Sequence, residues 1–333
     1  MLVVVTPILM FPGQSSRHPT MIEHALSLVP LPNSKLMREA SEVLGRNLLA
    51  HYHADNPDIF ATNRDVQVGV FLANHLHLRT LERAGVKAGL SLGLSLGEYN
   101  HLVHIGALEF AQALRLIDAR GIAYDAGPDG AMAAVFPLDL EAVELVVKRA
   151  KEYGALEIGS YNSPTQHVLS GERAAVQAAT RMLEDEYAVE AVVIEPRIPM
   201  HSAPFWPVVR AFLPALQQVS WQPIRRPYLP NASGRFLSSP TPGDLIYSLT
   251  LHVWRPVRWR QSIDLLTRLY SDAVFIEVGP RTVLTGLLQR RWHPNPKLHT
   301  DAVRGEHPRT AFASVVRALI AGADERDSIR QAA

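Results

Sequence analysis

The chain contains no cysteine. Disulfides, thiolate metal centres and a cysteine nucleophile are thereby excluded, so covalent chemistry has to run through oxygen or nitrogen. It is also short of net charge: 33 Lys and Arg against 32 Asp and Glu leave a formal +1, too little for the broad field that draws a protein to nucleic acid or an anionic membrane. No apolar run approaches the roughly 20 residues that cross a bilayer. The apolar start, Met1 to Met10, has no basic leader or small-residue cleavage site and is interrupted by Pro12-Gly13, so it reads as a core strand. Low-complexity tracts and long repeats are missing as well. What is present is 333 residues, 47% of them hydrophobic, enough for one main domain plus an insert in a cytoplasmic, monomeric globular protein.

Within it, Gly93-Leu94-Ser95-Leu96-Gly97 followed by Glu98-Tyr99-Asn100 has the G-x-S-x-G form of a nucleophile elbow. Glycines on both sides of the serine let a strand turn sharply into a helix and push one hydroxyl outward. The form occurs twice, because Gly89-Leu90-Ser91-Leu92-Gly93 overlaps it. Context selects Ser95: Ala88 to Leu92 is small and apolar and fits a buried strand that contains Ser91, whereas helical spacing of Leu96, Tyr99 and Val103 follows Ser95.

Before the elbow, a strand over Val3–Phe11 breaks at the polar loop Pro12-Gly13-Gln14-Ser15-Ser16, and helices are expected near 20–28, 34–48 and 64–85, the last with Gln67 near its start. After it, a helix over Glu109–Tyr124 places Arg120 on the apolar face of Ala113, Ile117 and Tyr124. An inward arginine needs a partner, either an internal carboxylate or an anionic ligand gripped by two parallel hydrogen bonds. From 131 to about 196 the pattern runs β-α-β-β-α-β, the ferredoxin-like order, and reads as an insert with its own sheet. His201 follows on a loop, a candidate base with Ser95 as its client. The remainder holds an expected strand at Tyr228–Asn231, helices near 244–253, 260–270 and 282–290, the loop Trp254 to Trp259, and a strong strand at Ala273–Val278. Strands alternating with helices imply a mostly parallel sheet covered on both faces. The histidine pairs His51/His53, His75/His77 and His101/His104 have no carboxylate trio beside them, so no metal centre is expected. Arg290, Arg291 and Lys297 form a basic cluster, a solvated helix end or a patch for an acidic partner.

Taken in order, Phe11-Pro12-Gly13-Gln14, Gly93 to Tyr99, Arg120-Gly121, Gly130 to Val135, Asn162-Ser163-Pro164, His201, Arg255-Pro256-Val257-Arg258-Trp259 and Glu277-Val278-Gly279-Pro280 make the chain resemble the malonyl-CoA:acyl carrier protein transacylases and the acyltransferases of polyketide synthases. The resemblance implies an α/β-hydrolase-like core, residues 1–130 and 198–333, with a ferredoxin-like small subdomain at 131–197. It implies a two-step transfer in which His201 activates Ser95, the Gln14 and Leu96 amides form the oxyanion hole, and a main-chain carbonyl near Arg258 orients the histidine. Arg120, 25 residues after Ser95, takes the place of the arginine that holds a malonyl carboxylate, with Gln67, Leu94, Met200 and Asn162 lining the pocket. No cofactor is bound permanently; a coenzyme A thioester is the implied donor and an acidic, phosphopantetheinylated acyl carrier protein the partner. Leu94 stands where the family has histidine, Ser15 where it has glycine, and Met200 precedes His201 at a position linked to acyl selectivity. These departures point to polyketide or related secondary metabolism, with carrier-to-carrier transfer of an unusual acyl or aminoacyl chain, or thioester hydrolysis, as the alternatives.

Overall fold

The computed structural model describes residues 6–302 and 305–332, so Val3 to Val5 of the expected first strand lie outside the described residues. Among the described residues eight strands are formed: β1 Thr6–Phe11, β2 Leu90–Gly93, β3 Ala131–Val135, β4 Leu156–Ser163, β5 Gln166–Gly171, β6 Ala191–Glu195, β7 Ala273–Glu277 and β8 Lys297–His299. They build two four-stranded sheets. One is parallel, in the order β2-β1-β7-β8. Its central strands read as unbroken apolar runs, Ile8 to Phe11 and Ala273 to Ile276, and are buried along that length. That is what a parallel strand covered on both faces requires. Leu9, Phe11, Leu78, Leu81, Val274, Ile276 and Phe312 pack together in a core on one side of it. The crossover from β1 to β2 ends in the helix Asn63–Arg83, begun by the Thr62 side chain, which accepts from the Asp65 amide.

The second sheet is antiparallel, in the order β4-β5-β3-β6. With the helices Leu140–Ala150 and Arg173–Tyr187 between its strands it has the ferredoxin-like connectivity read from the sequence. Val143, Val146, Val147, Ala175, Val176, Ala179 and Leu183 of the two helices close onto Ala133, Val135, Ile158 and Leu169 of the sheet.

Two expectations are corrected here. Tyr228–Asn231 is not a strand: Pro227 and Pro230 lack the amide donors a ladder needs, and Tyr228 is instead buried with its hydroxyl donating to Glu98 Oε1 at 2.6 Å. The compact units also do not divide at 130 and 198. The first holds residues up to Gly121 with Gln222–Tyr228 and the chain from Leu266 onward; the second holds Ile122–Trp221 and Leu229–Leu265. The later segments join the small sheet because the Tyr161 amide donates to Val257 O and the Val257 amide to Gly159 O, both at 2.9 Å, docking the 255–258 loop along β4. Among the described residues no helix is long and apolar enough to cross a membrane.

Candidate active site

In the first unit β2 runs into the helix Gly97–His104 through Ser95, whose φ of 50° lies in the left-handed region. A serine pays strain to sit there, and such strain persists only where the surroundings impose it. They do so by close approach. A Cβ on Gly93 would collide with the backbone of Gly97 and Glu98, and one on Gly97 with the Phe11 carbonyl. Gly89, which flanks the overlapping motif, has nothing within 4 Å of the same position. The two copies of G-x-S-x-G are thus distinguished: the pair around Ser95 is sterically obligatory, and Ser91 lies buried inside β2. Ser91 Oγ meets His101 Nδ1 at 2.7 Å and His104 Nδ1 at 2.8 Å, which accounts for the spacing of that histidine pair. Burial, the largest influence on both, pushes their pKa values down to about 3.

The first loop closes against the elbow. The Leu94 amide donates to Phe11 O at 3.0 Å, and a Cβ on Gly13 would stand 2.9 Å from Leu94 O. Gln14 opens the 3-10 turn Gln14–Ser16, its carbonyl accepting from Arg17 Nη1 at 3.1 Å, while Ser15 is exposed. Leu96 is buried at the start of the elbow helix. Asn74 Nδ2 donates to both Pro12 O and Asn100 Oδ1 at 3.0 Å, and Asn100 Nδ2 donates to Phe71 O, so the loop, the long helix and the elbow helix are locked together by two buried amides. Asn74 has no signal in the sequence beyond an asparagine within helical spacing, and Asn100 none beyond its place just after the elbow.

Arg120, on the helix Phe110–Asp125, is fully buried. Its Nη1 donates to Gln67 Oε1 at 2.6 Å, and its guanidinium carbon lies 5.4 Å from the centre of the Tyr99 ring. Gly121 lets this helix touch the Arg64 backbone. Arg64 itself forms a two-pronged pair with Asp118, at 2.6 and 2.8 Å. The helix's nearby carboxylate thus serves Arg64, while a neutral amide and an aromatic face meet Arg120. Gln67, Tyr99 and Arg120 are brought together as one buried group within the unit that carries Ser95.

In the second unit His201 is buried with φ 61°. Its amide donates to Val253 O at 3.2 Å and its Nδ1 lies 2.8 Å from His252 O, with the two imidazoles stacked at 5.1 Å. A carbonyl can only accept, so Nδ1 carries a hydrogen, and in the neutral ring Nε2 then holds the lone pair a base needs. The orienting carbonyl is therefore that of His252, which corrects the assignment to Arg258. Arg258 instead receives Ser262 on its carbonyl at 3.1 Å and places its guanidinium 5.8 Å from the Tyr161 ring. No side-chain pattern could have announced His252, because any residue supplies a carbonyl. Met200 is buried, its carbonyl accepting from Ser170 Oγ at 2.6 Å, and Asn162 on β4 accepts from Ser160 Oγ at 2.6 Å. The basic cluster loses one member, since Lys297 Nζ donates to Thr285 O at 2.9 Å and Leu288 O at 2.6 Å at a helix end.

Comparison with known proteins follows the same lines. The family model described as an acyl transferase domain matches residues 34–324. A malonyl CoA-acyl carrier protein transacylase of Bacillus subtilis (strain 168) is 30% identical over 301 residues, covering 88% of this chain and 92% of its own. Among solved structures, that of the corresponding enzyme from Streptococcus pneumoniae superposes with a TM-score of 0.83 at 27% identity, over 94% of this chain and 99% of that one. A malonyl-transacylase solved in complex with its type II polyketide synthase acyl-carrier protein gives a TM-score of 0.83 at 25% identity, over 93% and 99% of the two chains.

Proposed function

The chain belongs to the acyl transferase domain family, and from that premise we propose that it moves a malonyl group from coenzyme A to the phosphopantetheine thiol of an acyl carrier protein. The observation that carries the proposal is Ser95, held at φ 50° between two glycines that admit no side chain. In the first half-reaction His201 Nε2 takes the hydroxyl proton, a bond forms between Ser95 Oγ and the thioester carbon, and the carbon–sulfur bond breaks as the thiolate leaves and recovers the proton. The carrier thiol then attacks the acyl-serine by the same steps in reverse order. The Gln14 and Leu96 amides are the oxyanion donors in this reading, each worth about 3–4 kcal/mol of transition-state stabilisation. Arg120, steadied by Gln67, selects an acyl group that ends in a carboxylate.

The pathway reading rests on Leu94, Ser15 and Met200, the three departures near the elbow, the first loop and the histidine. They favour a carrier of polyketide or related secondary metabolism, and the carrier loaded faster, polyketide or fatty-acid, assigns the pathway. Intact-mass measurement after exposure to malonyl-CoA tests the chemistry: one malonyl group is expected on Ser95 and none on Ser95→Ala. Uptake by that variant, or none by the parent, overturns the acyl-serine. Faster loading from carrier-bound donors than from malonyl-CoA would move the reading to carrier-to-carrier transfer, and steady release of free acid without a carrier to hydrolysis.

A further inference from the structure

Away from the elbow, the first unit brings His18, His24 and Asp301 together, a set that none of the histidine pairs in the sequence suggests. His18 Nε2 lies 3.1 Å from Asp301 Oδ2, and His24 Nδ1 lies 3.1 Å from Asp301 Oδ1. The opposite ring nitrogens both turn to one hydroxyl: Thr20 Oγ1 is 3.1 Å from His18 Nδ1 and 3.2 Å from His24 Nε2. Asp301 is buried and further fixed by the Arg281 and Ala302 amides, each at 2.9 Å.

The hydrogens in this ring of contacts do not suffice. Four contacts join two imidazoles, one hydroxyl and one carboxylate. Two neutral imidazoles supply two hydrogens, the hydroxyl one, and the carboxylate none. One contact therefore lacks a hydrogen unless a further cation enters. A second proton on one imidazole is one solution, and the raised pKa of His24, caused first by its hydrogen bond to Asp301, agrees with it. A divalent ion among the inner atoms is the other, and it satisfies every contact: both inner nitrogens offer lone pairs, and both outer N–H groups donate to the two lone pairs of Thr20 Oγ1. Outer-shell anchoring of this kind fixes the tautomer of metal-binding histidines.

We propose that His18, His24 and Asp301 form a zinc site, completed by water, with Thr20 as the shared outer anchor. One donor atom from each of the three residues lies within 4.8 Å of the other two. Donor atoms around tetrahedral zinc, bound at about 2.0–2.1 Å, stand about 3.3 Å apart, close to the 3.1 Å that separates each imidazole nitrogen from its own oxygen of the Asp301 carboxylate. Two imidazoles with one carboxylate suit zinc better than calcium or magnesium, which prefer all-oxygen shells. The His24 side chain is 31% exposed and gives the ion a way in. The other titratable groups whose charge reaches the cluster are Glu23, on the helix of His24, and His77, whose Nδ1 meets Thr300 Oγ1 at 2.8 Å. Because His18 follows the turn that begins at Gln14, a bound ion would brace the first loop against residue 301.

The test uses the full, untagged chain stripped by a chelator and dialysed against zinc. One equivalent of zinc per chain is expected by elemental analysis, with a raised thermal midpoint. Cobalt substituted for zinc should show the intense visible bands of a four-coordinate site, with no thiolate absorption to obscure them. His18→Ala and His24→Ala, verified as folded by circular dichroism, should each weaken zinc at least about 100-fold and abolish the thermal shift. Substoichiometric zinc in the parent, an unchanged affinity in both variants, or a weak six-coordinate cobalt spectrum would overturn the site and leave the cluster as a proton-held clamp.

Discussion

Arg120 brings a permanent charge into a place closed to water, with the Gln67 amide and the Tyr99 ring among its neighbours there. A carboxylate reaching it would be gripped in a low-dielectric setting, where a two-pronged pair is strongest. Each charge-assisted hydrogen bond contributes about 1.5–3 kcal/mol. Arg120→Gln should therefore lower kcat/KM for malonyl-CoA by on the order of 100-fold or more, while kcat/KM for acetyl-CoA changes little. Arg120→Lys keeps the charge but loses the fork and should fall between the two. Parallel losses for malonyl and acetyl would show that Arg120 serves folding alone. The residue's position on the apolar face was legible from spacing of three and four. Gln67 beside it is legible only through the family resemblance, because an amide gives no periodic signal of its own.

The elbow is a property of an element, since no one residue produces it. Gly97→Ala would drive a methyl group into the Phe11 carbonyl, part of the central strand, where backbone has no room to yield. A loss of stability of about 3 kcal/mol, the upper end of what overpacked core sites typically show, is expected in urea unfolding. Gly89→Ala, at the first glycine of the overlapping motif, meets nothing and should stay within about 0.5 kcal/mol of the parent. Equal losses at both positions would mean that the elbow is not closed by contact. The same contrast marks what sequence could carry. Apolar runs gave away β1, β2, β7 and the helices beside them, because burial on both faces leaves no other pattern. β8, only three residues long, has no period to detect. The unit boundaries depend on backbone hydrogen bonds such as that from Val257 to Gly159, which are blind to side-chain identity.

Over the whole molecule the unusual feature is how many histidines are buried without charge. Burial, the largest influence in each case, lowers His75, His101 and His104 to about 3 and His77 and His167 to about 4, from an ordinary 6.5. As pH falls through 6.5 the unfolded chain takes up protons at all five while the folded chain refuses them, so the unfolded state binds more protons and stability falls with acid. Two groups oppose this. His24 is raised by its bond to Asp301, so its contribution is present in acid and fades as pH rises through its folded value. Glu277, pushed by burial to about 7, binds its proton earlier in the folded state than in the unfolded one. Near pH 5.5 an unfolded imidazole is already about nine-tenths protonated, so His24 offsets little and Glu277 about one proton, which leaves a net uptake of about 3.5 protons on unfolding and a slope on the order of 5 kcal/mol per pH unit. Urea midpoints should drop steeply between pH 7.5 and 5.5. His75→Phe, which retains the stacking place beside Phe71 and Phe110, should remove about one proton from that slope. A stability flat across this window would mean that the buried histidines already hold their protons in the folded chain.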